Sequence, residues 1–274
     1  MKYKLVAIDM DGTLLNSQDQ ISERNKKALL KAIDNGVHVV LATGRIYKSA
    51  LYYQRYIGLK SPIIACNGAI ISSSQDNIIF ENFIDYNSLK EIIQLAEENE
   101  MYYHFYDRDK FYYKTSKKEY TSYYKYYEEN YISQGIELVR FEDPSDIVDL
   151  NSSKYYKVVF IDNNPDKLYD FRKKLSLIKG ISISKSWRNN IEVMNESVSK
   201  GNAIKFLTNI LNIDSSEVIA IGDNENDVSM FKISGLSVAM KNGDEIAKSN
   251  ADVITDSNDE DGVAKVIEKY IFKN

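Results

Sequence analysis

A doubly wound parallel-sheet core of the α/β class, Rossmann-like in rhythm and interrupted by an α+β insert, is what this 274-residue sequence predicts. Three observations carry that prediction. Short all-apolar runs alternate with helical segments at both ends of the chain, the pattern of a parallel sheet buried on both faces. The middle of the chain breaks this alternation and gives a helix followed by paired aromatic runs, which suit an antiparallel sheet. Several apolar runs also end in Asp, Thr or Gly, at the carboxyl edge where open α/β sheets place their ligands.

Taken in order, residues 4–9 read as a strand, 23–35 as a helix, 37–42 as a strand, 46–57 as a helix and 62–66 as a strand. Ser22 is placed to cap the first helix, and Gly36 and Gly58 stand where helices stop. The same rhythm returns late: a helix near 200–211, the strand Val218 to Ile221, a helix near 225–233, strands near 236–239 and 252–254, and a closing helix near 260–271. Residues 1–83 and 189–274 are therefore expected to form one catalytic core. Between them, 84–188 is expected to be an α+β cap, with a helix near 87–99, strands 102–106 and 110–114, a Tyr-rich helical stretch near 116–131, a strand Tyr155 to Ile161, a helix near 166–177 and a strand 181–185. An insert at the carboxyl edge sits over the crevice as a lid.

Composition narrows the function classes. With 35 Lys+Arg against 40 Asp+Glu the net charge is −5, so nothing advertises nucleic acid or an acidic membrane surface. No run approaches the roughly 18 apolar residues of a membrane span, and no secretory signal is visible, so the cytoplasm is the expected compartment. One cysteine, Cys66, excludes an intrachain disulfide, and with only two histidines a Cys/His zinc site is excluded as well. Cys66 reads as a small buried hydrophobe. The 21 tyrosines, dense between Tyr102 and Tyr131, read as aromatic filler at strand positions.

The chemistry concentrates in four segments. Asp9-Met10-Asp11-Gly12-Thr13 follows the apolar run Leu5 to Ile8. Two carboxylates in one crevice repel, so they call for a cation or for one of them to hold a proton. Leu41-Ala42-Thr43-Gly44-Arg45 places a hydroxyl and free backbone N–H groups at a strand end, a cradle for an anion. Ser199-Lys200-Gly201 opens a helix with a lysine, unfavourable against the helix dipole unless it serves another purpose. Gly222-Asp223-Asn224-Glu225-Asn226-Asp227 gathers oxygen donors suited to Mg²⁺. Together they make a kit for phosphoryl transfer, where positioning and charge neutralisation are most of the work.

Asp9-x-Asp11-Gly12-Thr13, Thr43, Lys200 and Gly222-Asp223-x-x-x-Asp227, in that order, resemble the four motifs of the haloacid dehalogenase superfamily of phosphatases. Asn67-Gly68-Ala69 and the cap of about a hundred residues between the second and third motifs resemble its Cof-like hydrolases more narrowly. The resemblance implies a hydrolase of small phosphorylated metabolites, sugar phosphates foremost, acting through an aspartyl phosphate. It implies Asp9 as nucleophile and Asp11 as general acid and base. Mg²⁺ would be held by Asp9, the backbone carbonyl of Asp11 and Asp223, with Asp227 in support. Thr43 and Lys200 would hold the phosphoryl oxygens with Gly44 and Asn226 near them, and Arg45 and Asn67 would face the substrate. The chain would act as a monomer or weak homodimer.

Two rivals stay open. A sugar phosphomutase or phosphotransferase uses the same core. A phospho-aspartate signalling or binding protein uses a similar acidic pocket, although Asp11 would shorten the life of its phosphate. A dinucleotide-binding enzyme is excluded, since neither G-x-G-x-x-G nor G-x-x-x-x-G-K-[ST] is present.

Overall fold

The computed structural model describes residues 2–73, 77–114, 128–147 and 154–272. Among them, one sheet has eight strands in the order β14-β13-β12-β1-β2-β3-β4-β5: β1 Leu5–Ile8, β2 His38–Ala42, β3 Ile63–Ala65, β4 Ile70–Ser72, β5 Ile78–Glu81, β12 Val218–Gly222, β13 Leu236–Ala239 and β14 Val253–Ile254. From β14 to β3 the pairing is parallel, and β4 and β5 extend the edge antiparallel. The α/β class is as expected, with β4 and β5 added. The chain winds from β1 toward β2 and later from β12 toward β14, so the strand order reverses at β1, and a crevice opens there.

Alternation along the strands explains why all of them are apolar. Val6, Ile8, Val39, Leu41, Ile219 and Ile221 pack with helices Glu23–Asp34, Tyr47–Ile57 and Gly262–Ile267 on one face. Leu5, Ala7, Val40, Ala42, Val218 and Ala220 pack with Lys200–Leu211 and Val228–Phe231 on the other. Successive side chains point to opposite faces, so a strand covered on both sides must be apolar throughout. The expected helix signals hold locally. The Ser22 side chain accepts from the Asn25 N–H at 3.1 Å, and Gly58 ends the second helix with φ +85°. The expected helix 225–233 is instead a 3₁₀ turn, Glu225–Asp227, followed by the short helix Val228–Phe231.

A second, six-stranded sheet has the order β10-β11-β9-β6-β7-β8: β6 Tyr102–Tyr106, β7 Lys110–Lys114, β8 Glu137–Phe141, β9 Lys157–Ile161, β10 Ile181–Ser184 and β11 Asn190–Asn195. All its pairs are antiparallel except β7 with β8. Strand β11 corrects the expected boundary at 188, because the insert's sheet continues to Asn195. The run N-I-E-V-M-N hides a strand behind polar residues, of which Asn190 and Glu192 are buried and Asn195 is half-buried. The Tyr-rich stretch expected as a helix lies mostly outside the described residues, of which 128–133 are helical.

The insert's sheet also alternates. Tyr103, Phe105, Val158, Phe160, Ile191 and Val193 pack beneath helices Tyr86–Glu98 and Pro165–Leu175. His104, Tyr106, Lys157, Val159, Ile161, Asn190 and Glu192 occupy the opposite register positions and line a cleft shared with the first sheet. The two chain crossings between the sheets are bonded to each other, Asn82 Nδ2 donating to Ser197 Oγ at 2.6 Å and Asn195 Nδ2 to the Phe83 carbonyl at 3.1 Å.

Helix Lys200–Leu211 approaches Ser229 so closely at Gly201 that a Cβ there would strike the Ser229 carbonyl. Gly201→Ala is expected to lower stability by about 1–3 kcal/mol, as overpacking does. A urea titration checks this, and an unchanged midpoint would contradict the close approach.

Candidate active site

Strands β12, β1 and β2 are neighbours, so their carboxyl ends bring Asp223, Asp9 and Thr43 side by side at the reversal of strand order. The Asp9 N–H still donates to the Ile221 carbonyl at 2.9 Å, which fixes the residue at the strand end. Across from it, Ser199 caps helix Lys200–Leu211 by accepting from the Asn202 N–H at 3.1 Å, and Lys200 points into the site from the helix's first position. The Lys200 ammonium is fully buried and donates to Asp9 Oδ1 at 2.5 Å and Asp227 Oδ1 at 2.6 Å. That second purpose explains a lysine at a helix start.

The carboxylate oxygens of Asp227 and Asp223 are engaged as well. Asp227 Oδ2 accepts from the N–H groups of Asp223 and Asn224 at 2.8 and 3.0 Å. Asp223 accepts from Thr13 Oγ1 at 2.8 Å and from Asn224 Nδ2 at 2.7 Å. Gly12 has φ +77°, and a side chain there would collide with the Asp223 carboxylate, so the first motif needs glycine on both counts.

Carboxylate oxygens of Asp9, Asp223 and Asp227 all lie within 4.8 Å of one another. Three buried carboxylates face one ammonium, and the excess negative charge is felt. Burial lifts the Asp9 carboxyl to about 7, against the pull of Lys200 and with help from the charges of Asp227 and Asp11. Burial, then Asp9 and Asp227, push Asp223 well above the ordinary range. Burial opposes charge on Lys200, but Asp227 and Asp9 outweigh it and raise its pKa. An all-oxygen, charge-deficient set of this kind can hold a metal ion.

Asp11 sits outside that triad. Arg45 grips its carboxylate with Nε at 2.8 Å from Oδ2 and Nη2 at 2.5 Å from Oδ1. Burial would raise the Asp11 carboxyl, but the guanidinium's charge and hydrogen bonds prevail and hold it below the usual range. Arg45, expected to face substrate, is thus tied to Asp11 and also lies over the Tyr53 ring. Thr43 is buried and accepts from the Arg45 N–H at 3.1 Å, and the Gly44 carbonyl accepts from Lys157 Nζ at 2.5 Å. Asn67, held at φ +57°, donates to Glu192 Oε2 at 2.7 Å and accepts from Asn226 Nδ2 at 3.2 Å. Among the described residues, nothing donates to the buried Asn226 Oδ1, which leaves an acceptor in the cleft. Cys66 is buried, its thiol pushed up to about 12 by desolvation, so it is no nucleophile.

Asp9, Asp11, Gly44, Arg45 and Asn226 line one cleft of about 370 Å³ together with Tyr106, Tyr131, Lys157, Trp187 and Glu192. Sequence reasoning named none of the last five for the site. Lys157 and Glu192 pair at 2.9 Å with both side chains 3% exposed, and Ser186 Oγ donates to the same Glu192 oxygen at 2.9 Å. Burial would raise Glu192, and Lys157 holds it low. The signal was a lysine opening the apolar strand K-V-V-F-I, on the same face as Val159 and Ile161.

The comparisons with known proteins agree with this geometry. The sequence model of the haloacid dehalogenase-like hydrolase family matches residues 6–267. A Bacillus subtilis protein named 5-amino-6-(5-phospho-D-ribitylamino)uracil phosphatase YcsE is 32% identical over 270 residues, covering 98% of this chain and 96% of that one. Phosphatase YwpJ of the same organism is 30% identical over 297 residues, with 98% and 100% covered. A solved haloacid dehalogenase-like hydrolase from B. subtilis superposes with a TM-score of 0.88 at 29% identity, covering 97% of this chain and 99% of that one. With its full-length family match and phosphatase relatives, this chain belongs to the haloacid dehalogenase-like hydrolases, Cof-like in its motifs, and is a phosphatase.

Proposed function

We propose that this phosphatase hydrolyses small phosphorylated metabolites, sugar and polyol phosphates foremost, with Mg²⁺ and through a phosphoryl group carried by Asp9. The observation that carries the reading is the buried triad Asp9, Asp223 and Asp227 converging on Lys200 beside Asp11. A relative named for a phospho-D-ribitylamino compound supports the substrate class.

Asp9, Asp223 and the backbone carbonyl of Asp11 would hold the cation, with Asp227 supporting them through the N–H groups of Asp223 and Asn224. Mg²⁺ bound there supplies positive charge to offset repulsion between the nucleophile and the phosphoryl oxygens. An Asp9 carboxylate oxygen attacks phosphorus in line, and the bond to the leaving oxygen breaks as that oxygen takes a proton from Asp11. Water then attacks phosphorus, Asp11 takes its proton back, and the Asp9–phosphorus bond breaks to release phosphate. Lys200, already on Asp9, balances charge through both steps, while Thr43 and the Gly44 N–H receive phosphoryl oxygens. Asp11 must first be protonated. Its pairing with Arg45 opposes that, so an incoming phosphoryl anion that competes for the guanidinium frees the acid as it binds.

A mutase would differ in passing phosphate to a sugar; release of phosphate to water without a bisphosphate requirement separates the two.

With an aryl phosphate and Mg²⁺, Asp9→Asn is expected to lower turnover about a thousandfold or more; undiminished turnover sinks the nucleophile assignment. Asp11→Asn is expected to cost about 10²–10⁴-fold with alkyl phosphates and much less with aryl phosphates, whose leaving oxygens need no acid. Equal losses with both would remove Asp11 from the leaving-group step.

Metal-free stability has a sign that follows from Asp9. Its folded pKa of about 7 lies above the ordinary 3.8, so between those values the folded chain keeps a proton that the unfolded chain has lost. Stability from this group therefore falls as pH rises through that window. In a chelator, the stability of the native sequence relative to Asp9→Asn is expected to fall from about pH 4 to about pH 7 and level off above, and excess Mg²⁺ is expected to flatten the slope. A pH-independent difference in the denaturation midpoints would contradict it.

A further inference from the structure

The chain has a single tryptophan, Trp187, and it is 64% exposed while lining the same cleft as Asp9 and Asp11. A large aromatic side chain left in water at the wall of an active-site cleft is informative where scattered surface apolar residues are not. The loop between β10 and β11 that carries it is pinned in place. Asn190 Oδ1 accepts from the Ser186 and Trp187 N–H groups at 3.1 and 3.0 Å, and Asn190 Nδ2 donates to Ser186 Oγ at 3.1 Å. Ser186 in turn donates to Glu192, and Asn189 Nδ2 donates to Asn163 Oδ1 at 3.2 Å. A pinned loop backbone loses little freedom when a ligand covers the side chain it carries.

The cleft offers two kinds of recognition. Lys157 and Glu192 donate and accept, which suits the hydroxyls of a sugar or polyol. An indole face carries no hydrogen-bonding group, and a planar base with its own π-face stacks on it.

We propose that Trp187 is a stacking platform for the far end of the substrate, and that the cleft takes sugar phosphomonoesters bearing a planar nitrogen heterocycle. This deepens the phosphatase reading and rests on it. The heterocycle lies on the indole, the sugar hydroxyls meet Lys157 and Glu192, and the phosphoryl group meets Asp9. Trp187 binds the leaving group in the ground state and in the transition state alike, so it acts on KM and leaves kcat alone.

Uridine 5′-monophosphate and ribose 5-phosphate differ only at the base and make the test pair. With Asp9→Asn to prevent turnover, uridine 5′-monophosphate is expected to quench the Trp187 fluorescence saturably and ribose 5-phosphate to leave it unchanged. In the otherwise native enzyme, Trp187→Ala is expected to raise KM for uridine 5′-monophosphate about tenfold with kcat held, and to change ribose 5-phosphate less than about twofold. Trp187→Phe is expected to restore most of the loss. Absence of saturable quenching, or an equal KM change for both compounds, overturns the platform. Quenching by uridine 5′-monophosphate with no phosphate released from any compound keeps the platform and overturns the phosphatase reading instead.

Discussion

The buried ammonium of Lys200 is the interaction on which the rest of the site depends. Asp9 and Asp227 could not share one dry pocket as anions without a cation between them, and Lys200 reaches both at hydrogen-bond distance from a helix that starts on the far side of the chain. Removing one partner from such a buried set typically costs about 3–5 kcal/mol, because a charge is left without compensation. The lysine thus ties the first and fourth motifs together before any substrate arrives. Its compensation is incomplete by design of the count, since Asp223 adds a third carboxylate, and that deficit is what makes the pocket receptive to a cation.

Backbone order does the positioning. Because β12, β1 and β2 are adjacent and parallel, Asp223, Asp9 and Thr43 emerge at one edge, the N–H groups of Asp9 and Thr43 still engaged in the sheet and that of Asp223 held by the Asp227 carboxylate. Positive φ marks two close approaches in the site: Gly12 under the Asp223 carboxylate, and Asn67, which donates to Glu192. The second sheet follows a different rule. One of its faces is given to the aromatic packing of Tyr103, Phe105 and Phe160 and the other to the cleft, so adjacent residues along a strand serve opposite purposes.

The core strands were legible because strands buried on both faces leave an unbroken apolar run, and β1, β2 and β12 run into Asp9, Thr43 and Asp223. The motif residues were legible for the same reason, and the structure gathers them at one edge. What escaped notice was set by tertiary context. Strand β11 reads as polar because its polar residues are satisfied only in the fold, Glu192 and Asn195 by distant Lys157, Asn67 and Phe83 and Asn190 by the adjoining loop residues Ser186 and Trp187. Lys157 reads as a strand-edge lysine until its ammonium is seen on the Gly44 carbonyl. Arg45 was read as facing substrate, and only the folded site shows that Asp11 claims it first. The tyrosines divide: Tyr103 and Tyr113 are core, as a filler should be, whereas Tyr106 and Tyr131 reach the cleft.

The two crossings between the sheets are stapled to each other through Asn82 to Ser197 and Asn195 to Phe83. Apart from them, Lys157 holds the Gly44 carbonyl and Glu192 holds Asn67, both beside Thr43 and Arg45 in the first sheet's loops. The second sheet therefore braces the loops at the edge where Asp9 and Thr43 emerge, and the five residues 195–199 that close the second crossing lead straight into Lys200.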